Sequence, residues 1–281
     1  MEEEVVIDTL DLKRDLNDAT RLYSAAFMDN PAYSYLFPNK SALPQALVWF
    51  FERRLRIIQE LGGMLWCARL RSSSSSRLIG CVCACSPEAA KPPAWTMVRH
   101  GVLLWPVWWG LESLGRLQSS LSAGSKLQHE AMLRIDPPLE HEAGTGSDSS
   151  GGRWEIMMMA VDPTFQGRGI GTRLLRQALA CLADRFPAVA VTLTTQLPQN
   201  VPFYQKQGFI CAPPAPSAAA GSSDSSRSVD DGGEKREDGS PPPTLIMFEG
   251  TEHEYPDWLM YLRRADDFVG TKGKESKDVL N

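Results

Sequence analysis

The chain has 281 residues, of which 43% are hydrophobic, and carries a formal net charge of -5 with a pI near 5.5. That is enough apolar material to bury a sizeable core in one large domain or two small ones. The acidic balance argues against a nucleic-acid partner, suits a cationic substrate, and serves mostly for solubility.

The opening Met1-Glu-Glu-Glu has neither the basic region nor the apolar region of a secretion signal, so a cytoplasmic location is expected, with the cysteines as free thiols. Val5 to Thr9 reads as a strand. Leu12 to Met28 repeats Leu16, Ala19, Leu22, Tyr23, Ala26 and Phe27 at helical spacing. Asn30-Pro31 breaks that helix and leads into an aromatic loop, Ala32 to Pro38, which either lines a pocket or staples the helix. Ser41 caps a second helix whose Leu47, Phe50, Phe51, Leu55 and Ile58 face inward, and Gly62-Gly63 ends it.

Met64 to Leu70 and Leu78 to Ser86 form a hairpin. Cys81, Cys83 and Cys85 share one face of its second strand. Without a second Cys or His pair at zinc spacing they read as core packing, and no metal site is expected. After a proline-rich linker, Trp95 to Leu121 is dense in tryptophan and leucine. The apolar part, Val102 to Trp109, is too short to span a bilayer, so helices packed over the sheet are expected, with tryptophans walling an acceptor pocket. Lys126 to Ile135 reads as a short helix, and 136–152 as a loop.

The most informative stretch is Trp154 to Leu175, WEIMMMAVDPTFQGRGIGTRLL. Ile156 to Val161 has the length of a buried strand, and Asp162-Pro163 stops it, because proline has no N–H to give a ladder. The turn Gln166, Gly167, Arg168, Gly169, Ile170, Gly171 then runs into a helix with Leu174, Leu175, Ala178, Leu179 and Leu182 inward. Glycines at a helix N-terminus leave backbone N–H groups exposed to an anion, phosphate above all. No lysine follows as a Walker loop requires, and the next strand, Val189 to Thr195, ends without the carboxylate of a Rossmann unit.

Gln166-x-x-Gly169-x-Gly171 after such a strand resembles the acyl-CoA signature of the GNAT superfamily of N-acetyltransferases. Asn200-Val-Pro-Phe203-Tyr204-Gln-Lys-Gln-Gly208-Phe209 resembles the later motif of the same superfamily. The resemblance covers Val5 to about Glu249. The Ala-Phe, Asn-Pro and aromatic features upstream are loosely similar to the branch that includes puromycin N-acetyltransferase. Departures are Pro202, the long insertion after Cys211, and Arg153-Trp154-Glu155 at a strand head, which leaves substrate choice open.

The resemblance implies an α/β (α+β) GNAT fold, with a mixed, mostly antiparallel twisted sheet flanked by helices. It implies a single N-acetyltransferase domain over 5–262, interrupted by the loop 136–152 and a low-complexity insertion 212–243 and followed by a polar tail 263–281. Acetyl-CoA is the implied cosubstrate. Its pyrophosphate would rest on Gly167, Arg168, Gly169, Ile170, Gly171 and Thr172 beside Gln166, and its pantetheine arm on Met159, Ala160 and Val161, with Asn200 meeting the same arm. Tyr204 resembles the general acid for the departing thiolate. Glu155, acting through water, is the first candidate for the base, followed by His129 and Glu130. The implied reaction is acetyl transfer to a primary amine, most simply of a small molecule. A protein or peptide acceptor and a non-catalytic acyl-CoA-binding adaptor are the alternatives.

Beyond Phe209, residues 212–243 lack core-forming side chains and are expected to be disordered. Thr244 to Glu249 is expected to be a strand pairing with Ile210. Trp258 to Leu262 is expected to be a last helical turn, and Ala265 to Asn281 a polar tail.

Overall fold

The computed structural model describes residues 4–71, 76–135, 153–187, 189–213, 244–247 and 254–265. The expected loop 136–152, nearly all of the 212–243 insertion, residues 248 and 249 and the tail beyond Ala265 lie outside them.

Strands β1 (Glu4–Thr9), β2 (Met64–Arg71), β3 (Ser76–Cys85), β4 (Trp154–Val161), β5 (Val191–Thr195), β6 (Ile210–Cys211) and β8 (Glu254–Leu262) form an open sheet in the order β1-β2-β3-β4-β5-β8-β6. A short strand, β7 (Thr244–Met247), pairs with the first residues of β8. Among the described strands only β4 and β5 run parallel, which requires a crossover between them, and helix α7 (Ile170–Arg185) supplies it. The result is a mixed α/β fold with a mostly antiparallel sheet between helices.

The two faces of the sheet bury separate cores. On one, α1 (Leu12–Ala26) and α3 (Leu43–Glu60) pack Leu16, Ala19, Tyr23, Leu47, Phe51 and Leu55 against Cys67, Cys81, Cys83 and Cys85. The cysteines are free thiols in that core, and the Tyr23 hydroxyl lies 3.1 Å from Cys83 Sγ. On the other face α7 buries Leu174, Leu175, Ala178, Leu179 and Leu182, an apolar stripe at the spacing the sequence predicted. Truncating one such leucine to alanine typically costs about 2–5 kcal/mol.

An ion pair fixes α1 to β2. The Asp15 carboxylate accepts from Arg14 Nε at 2.8 Å, from the Asp11 N–H at 3.1 Å and from Arg69 on β2. Burial works to raise the Asp15 pKa, but the bonds from Arg14 and Arg69 outweigh it and hold the group below the usual carboxylate range.

Several local expectations are corrected. The aromatic segment is a helix, α2 (Pro31–Leu36). Asn30 caps it by accepting the Ala32 N–H at 3.0 Å, and Pro31 takes the first turn, where its missing N–H costs nothing. Tyr33 then staples α1 to α3, 5.5 Å from Phe27 and 5.4 Å from Phe51. Ser41 does not cap α3. Asn39 Oδ1 collects the Ser41 N–H and hydroxyl instead, and Ala42 stands at the helix cap.

The linker contains a short helix, α4 (Pro87–Ala90), followed by α5 (Ala94–Arg99) and the long α6 (Trp105–Leu133), which absorbs the segment read as a separate helix from Lys126. Trp258 to Leu262 is not helical. It is the C-terminal half of β8, paired with β5 from Val191↔Leu262 to Thr195↔Trp258. Trp258, Met260 and Leu262 enter the α7-side core while Leu259 and Tyr261 are buried on the opposite face, so the alternation that marks a strand is hidden. Ile210 consequently pairs with Tyr261 of β8 and not with the strand beginning at Thr244.

Candidate active site at the β4–β5 opening

The site begins with a failure of strand pairing. β4 pairs with β5 only over Trp154↔Val191 to Ile156↔Leu193, and beyond Ile156 the two strands separate. On its other edge β4 stays paired with β3, but the register shifts where Cys83 meets Met158 and Ala84 meets Ile156, leaving Met157 as a bulge. A bulge turns two successive side chains to one face and bends the strand. Met157 and Met158 both lie against the α1/α3 core.

The Asp162 N–H donates to Ile79 C=O at 2.8 Å, so by alternation the main-chain groups of Val161 and Met159 point away from β3 into the opening. Gln166 Nε2 already donates to the Val161 carbonyl at 3.1 Å, which joins the turn to the strand end. Ala160 is turned the other way, its side chain buried in the α1/α3 core.

The turn continues from that strand end. Asp162 caps a short 3-10 turn, Pro163–Phe165, by accepting the Thr164 N–H at 2.9 Å and hydroxyl at 2.7 Å, and it pairs with Arg77 at 2.6 Å. Burial works to raise its pKa, but the Thr164 and Arg77 bonds prevail and lower it. Gly167 (φ 73°) and Gly169 (φ 74°) are both left-handed, and a Cβ on either would meet open space, so conformation, not crowding, requires glycine here.

The first bond into α7 runs from the Arg173 N–H to Gly169 C=O at 3.0 Å. Among the described residues, the N–H groups between Gly167 and Thr172 have no main-chain acceptor and stand at the positive end of a 16-residue helix. Arg168 and Arg77 both lie over the Phe165 ring, at 5.1 Å and 5.4 Å, adding positive charge to the turn. At Gly171 a Cβ would come 2.9 Å from Met159 Cε and 3.6 Å from Phe203 Cζ, so this glycine lets the turn close on β4 and on helix α8 (Val201–Gln205).

Tyr204 on α8 belongs to the α7-side core, edge-on to Phe203 at 5.0 Å and to Phe209 at 6.0 Å. Burial pushes its pKa to about 12, and its hydroxyl makes no hydrogen bond with the described residues. It is therefore a protonated donor across the neutral range. Asn200 does not cap α8 with its side chain. Its Nδ2 donates to Thr195 Oγ1 at 3.1 Å, tying the start of the helix to the end of β5, on the far side of the opening from Met159 and Val161.

Glu155 stands on the opposite face, two residues before the bulge and paired in register with Cys85. Burial raises its pKa, while the positive charges of Arg54 and Arg153 pull it partly back. Arg54 is itself held by Met157 Sδ, with Nε at 3.0 Å and Nη2 at 2.7 Å. His129 is exposed on α6 and Glu130 half-buried, and neither contributes to the field at Glu155. The structure thus groups Gln166 to Thr172 with Met159 and Val161, sets Tyr204 and Asn200 across the opening, and puts Glu155 at its closed end.

Two features were invisible in the sequence. Arg54 and Arg153 meet Glu155 only because α3 and the start of β4 converge there. A polar chain also runs from Asn30 Nδ2 to Gln196 Oε1 at 3.1 Å, and from Gln196 Nε2 to Asp257 Oδ1 at 2.7 Å, linking the start of α2 to the end of β5 and the middle of β8. The Asn-Pro break was the single local signal for it. The tryptophans divide. Trp105 stacks on Phe37 at 5.0 Å and meets Trp49 at 5.6 Å, whereas Trp95 and Trp108 face outward. Among the described residues no group of three or more His, Cys, Asp or Glu could hold a metal ion.

Comparison with known proteins agrees with this geometry. Residues 134–211, from the end of α6 through β4, the glycine turn and α8, match the family model of the acetyltransferase (GNAT) domain. The chain therefore carries a GNAT acetyltransferase domain, set in the mixed, mostly antiparallel sheet described above.

No curated protein matches it. Among solved structures it is similar to a histone acetyltransferase HPA2 and related acetyltransferase from Corynebacterium glutamicum, at 14% identity over 93% of this chain and 96% of that chain, TM-score 0.48. It is also similar to arylalkylamine N-acetyltransferase 2 from Aedes aegypti, at 13% identity over 92% and 98% of the two chains, TM-score 0.47. A polyamine N-acetyltransferase from Drosophila melanogaster gives 13% identity over 92% and 99%, TM-score 0.41. At these scores the likenesses bear on neither substrate nor site.

Proposed function

We propose that residues 5–262 form one acetyl-CoA-dependent N-acetyltransferase domain that acetylates a primary amine of a small molecule. One observation carries the reading. A strand edge at Met159 and Val161 that no neighbouring strand pairs leads directly into a turn whose N–H groups from Gly167 to Thr172 lack main-chain partners among the described residues. An extended amide-bearing arm ending in a pyrophosphate satisfies both sets of groups at once, the arm as a pseudo-strand and the diphosphate at the helix end.

The chemistry then divides between the two faces of the sheet. Glu155, its pKa raised by burial, takes the proton from the attacking amine through water, because a carboxylate with a raised pKa is a better base at neutral pH. Tyr204, protonated at neutral pH, donates to the departing thiolate. Asn200, held by Thr195, offers its amide oxygen to the arm. The Ala26-Phe27, Asn30-Pro31 and tryptophan-rich arrangement favours the branch that includes puromycin N-acetyltransferase.

The test is thiol release from acetyl-CoA with a panel of small amines, puromycin among them, and a panel of N-terminal peptides. Turnover with small amines is the expected result. Turnover confined to peptides would make the acceptor a protein. CoA binding without turnover on any acceptor would leave an acyl-CoA-binding adaptor.

A further inference from the structure

The outer surface of the α5–α6 elbow contributes none of the residues placed at the β4–β5 opening. Trp95, Val98, Leu103, Val107, Trp108 and Leu111 are between 56% and 78% exposed, and they lie on consecutive short elements: α5, a 3-10 turn at Val102–Leu104 and the start of α6. Scattered exposed apolar residues need no explanation, but six within 17 consecutive positions form a patch of the kind that marks an interaction site.

The elbow is built to present this face. Gly101 (φ 70°) turns the chain between α5 and the 3-10 turn, and Gly110 (φ 82°, ψ 163°) breaks α6 just before Leu111. On the inside Trp105 is 1% exposed. Its Nε1 donates to Ser113 Oγ at 3.0 Å, and Ser113 Oγ donates in turn to Leu36 C=O at 2.7 Å. A buried pin on the inner side holds the apolar side chains outward.

Composition selects the partner. From Leu103 to Leu111 no side chain carries a charge, a hydroxyl or an amide. A protein interface makes about one hydrogen bond per 100–200 Å² and is rimmed by polar groups, which this run cannot provide beyond its indole N–H groups. Hydrocarbon needs none. Tryptophan is the side chain suited to the boundary between headgroups and acyl chains.

Charge points the same way. No Asp or Glu lies between Glu88 and Glu112, while Lys91 and Arg99 are exposed at the edge of the patch, in a chain whose net charge is -5. Arg99 lies 6.0 Å from the Trp95 ring centroid and 3.4 Å from Glu60, which also meets His100 at 2.6 Å, so Lys91 carries most of the unpaired charge. Nine residues would extend only about 14 Å as continuous α-helix, against about 30 Å of hydrocarbon, and no described helix is long and apolar enough to cross a membrane. The elbow lies in the interface without spanning it.

We infer that the α5–α6 elbow seats this protein on an anionic lipid bilayer, its tryptophans and aliphatic side chains entering the interface and Lys91 and Arg99 meeting the headgroups. The test is flotation of the full chain with phosphatidylcholine vesicles and with vesicles of phosphatidylcholine and phosphatidylglycerol, at low and high salt, alongside its oligomeric state by light scattering. The protein should float with the mixed vesicles, less so with phosphatidylcholine alone and less at high salt.

The double substitution Trp108→Ser, Leu111→Ser should cut vesicle partitioning by about tenfold or more with an unchanged Tm, and Lys91→Glu should weaken binding to anionic vesicles only. Absence of flotation overturns the inference, whether the protein is then monomeric or a dimer that the double substitution dissociates. Flotation undiminished in the double variant overturns it as well. Vesicle binding does not depend on acetyl transfer, so the two readings stand or fall separately.

Discussion

The two faces of the sheet around β4 are built by different means. On the α7 side, the opening proposed to take an anionic, amide-bearing ligand comes from one continuous stretch: a strand end, a capped 3-10 turn, two left-handed glycines and a helix start, Met159 to Thr172. On the α1/α3 side, the surroundings of Glu155 are assembled from Arg54 on α3, Met157 at the bulge and Arg153 before β4. The proposed binding turn is encoded locally, and the surroundings of the proposed base by convergence. Substitutions should therefore separate the two: changes on the glycine turn should act on CoA affinity, and changes around Glu155 on turnover and its pH dependence.

The largest effect is expected from Glu155→Gln, which keeps the shape and removes the proposed base. Turnover should fall by about 10² to 10⁴, the usual span for a general base, with CoA affinity unchanged by calorimetry. Comparable losses in affinity and turnover would assign Glu155 to binding.

Gly169→Val comes next. A β-branched residue at φ 74° costs about 1–3 kcal/mol of backbone strain, and relief of that strain turns the N–H groups of the turn away from the ligand. CoA affinity should fall by about 5- to 150-fold, while turnover at saturating acetyl-CoA changes less. A lowered Tm with intact affinity would instead place the cost in folding.

Tyr204→Phe should reduce turnover by about tenfold while acetyl-CoA affinity stays nearly constant. The effect is smaller than that of losing the base, because a thiol of pKa about 8–9 leaves readily without full protonation. Equal losses in both would make Tyr204 a binding residue.

The smallest change, and the sharpest for the comparison, is in the pH profile. As the proposed base Glu155 would act ionised, and burial raises its pKa above the ordinary carboxylate value, so the acid limb of kcat/KM should be raised too. Arg54 lowers that pKa. Arg54→Leu should therefore move the acid limb to higher pH, and the limb should vanish in Glu155→Gln. An unmoved limb in Arg54→Leu would mean that another group titrates.

The legible parts of the fold were those whose signal is short-range. Leu174 to Leu182 announce an amphipathic helix by spacing alone, and Asp162-Pro163 a strand end by the missing N–H. The illegible parts depended on what lay on the far side. Trp258 to Leu262 shows no alternation because both its faces are covered, so its place between β5 and β6 could not be read. Asn200 has the identity of a cap, but Thr195, at the end of β5, takes its side-chain donor.

By itself the amino-acid sequence determined the glycine turn, the helix behind it and the strand before it. Each of these is set by backbone preference or by periodicity within a few residues. Only the tertiary structure decided that β4 parts from β5 after Ile156, that Met157 bulges, that Glu155 comes under the charges of Arg54 and Arg153, and that Trp105 turns inward while Trp108 turns out. Those outcomes follow from which surfaces meet, and the register and burial that decide them are set by residues distant in the chain.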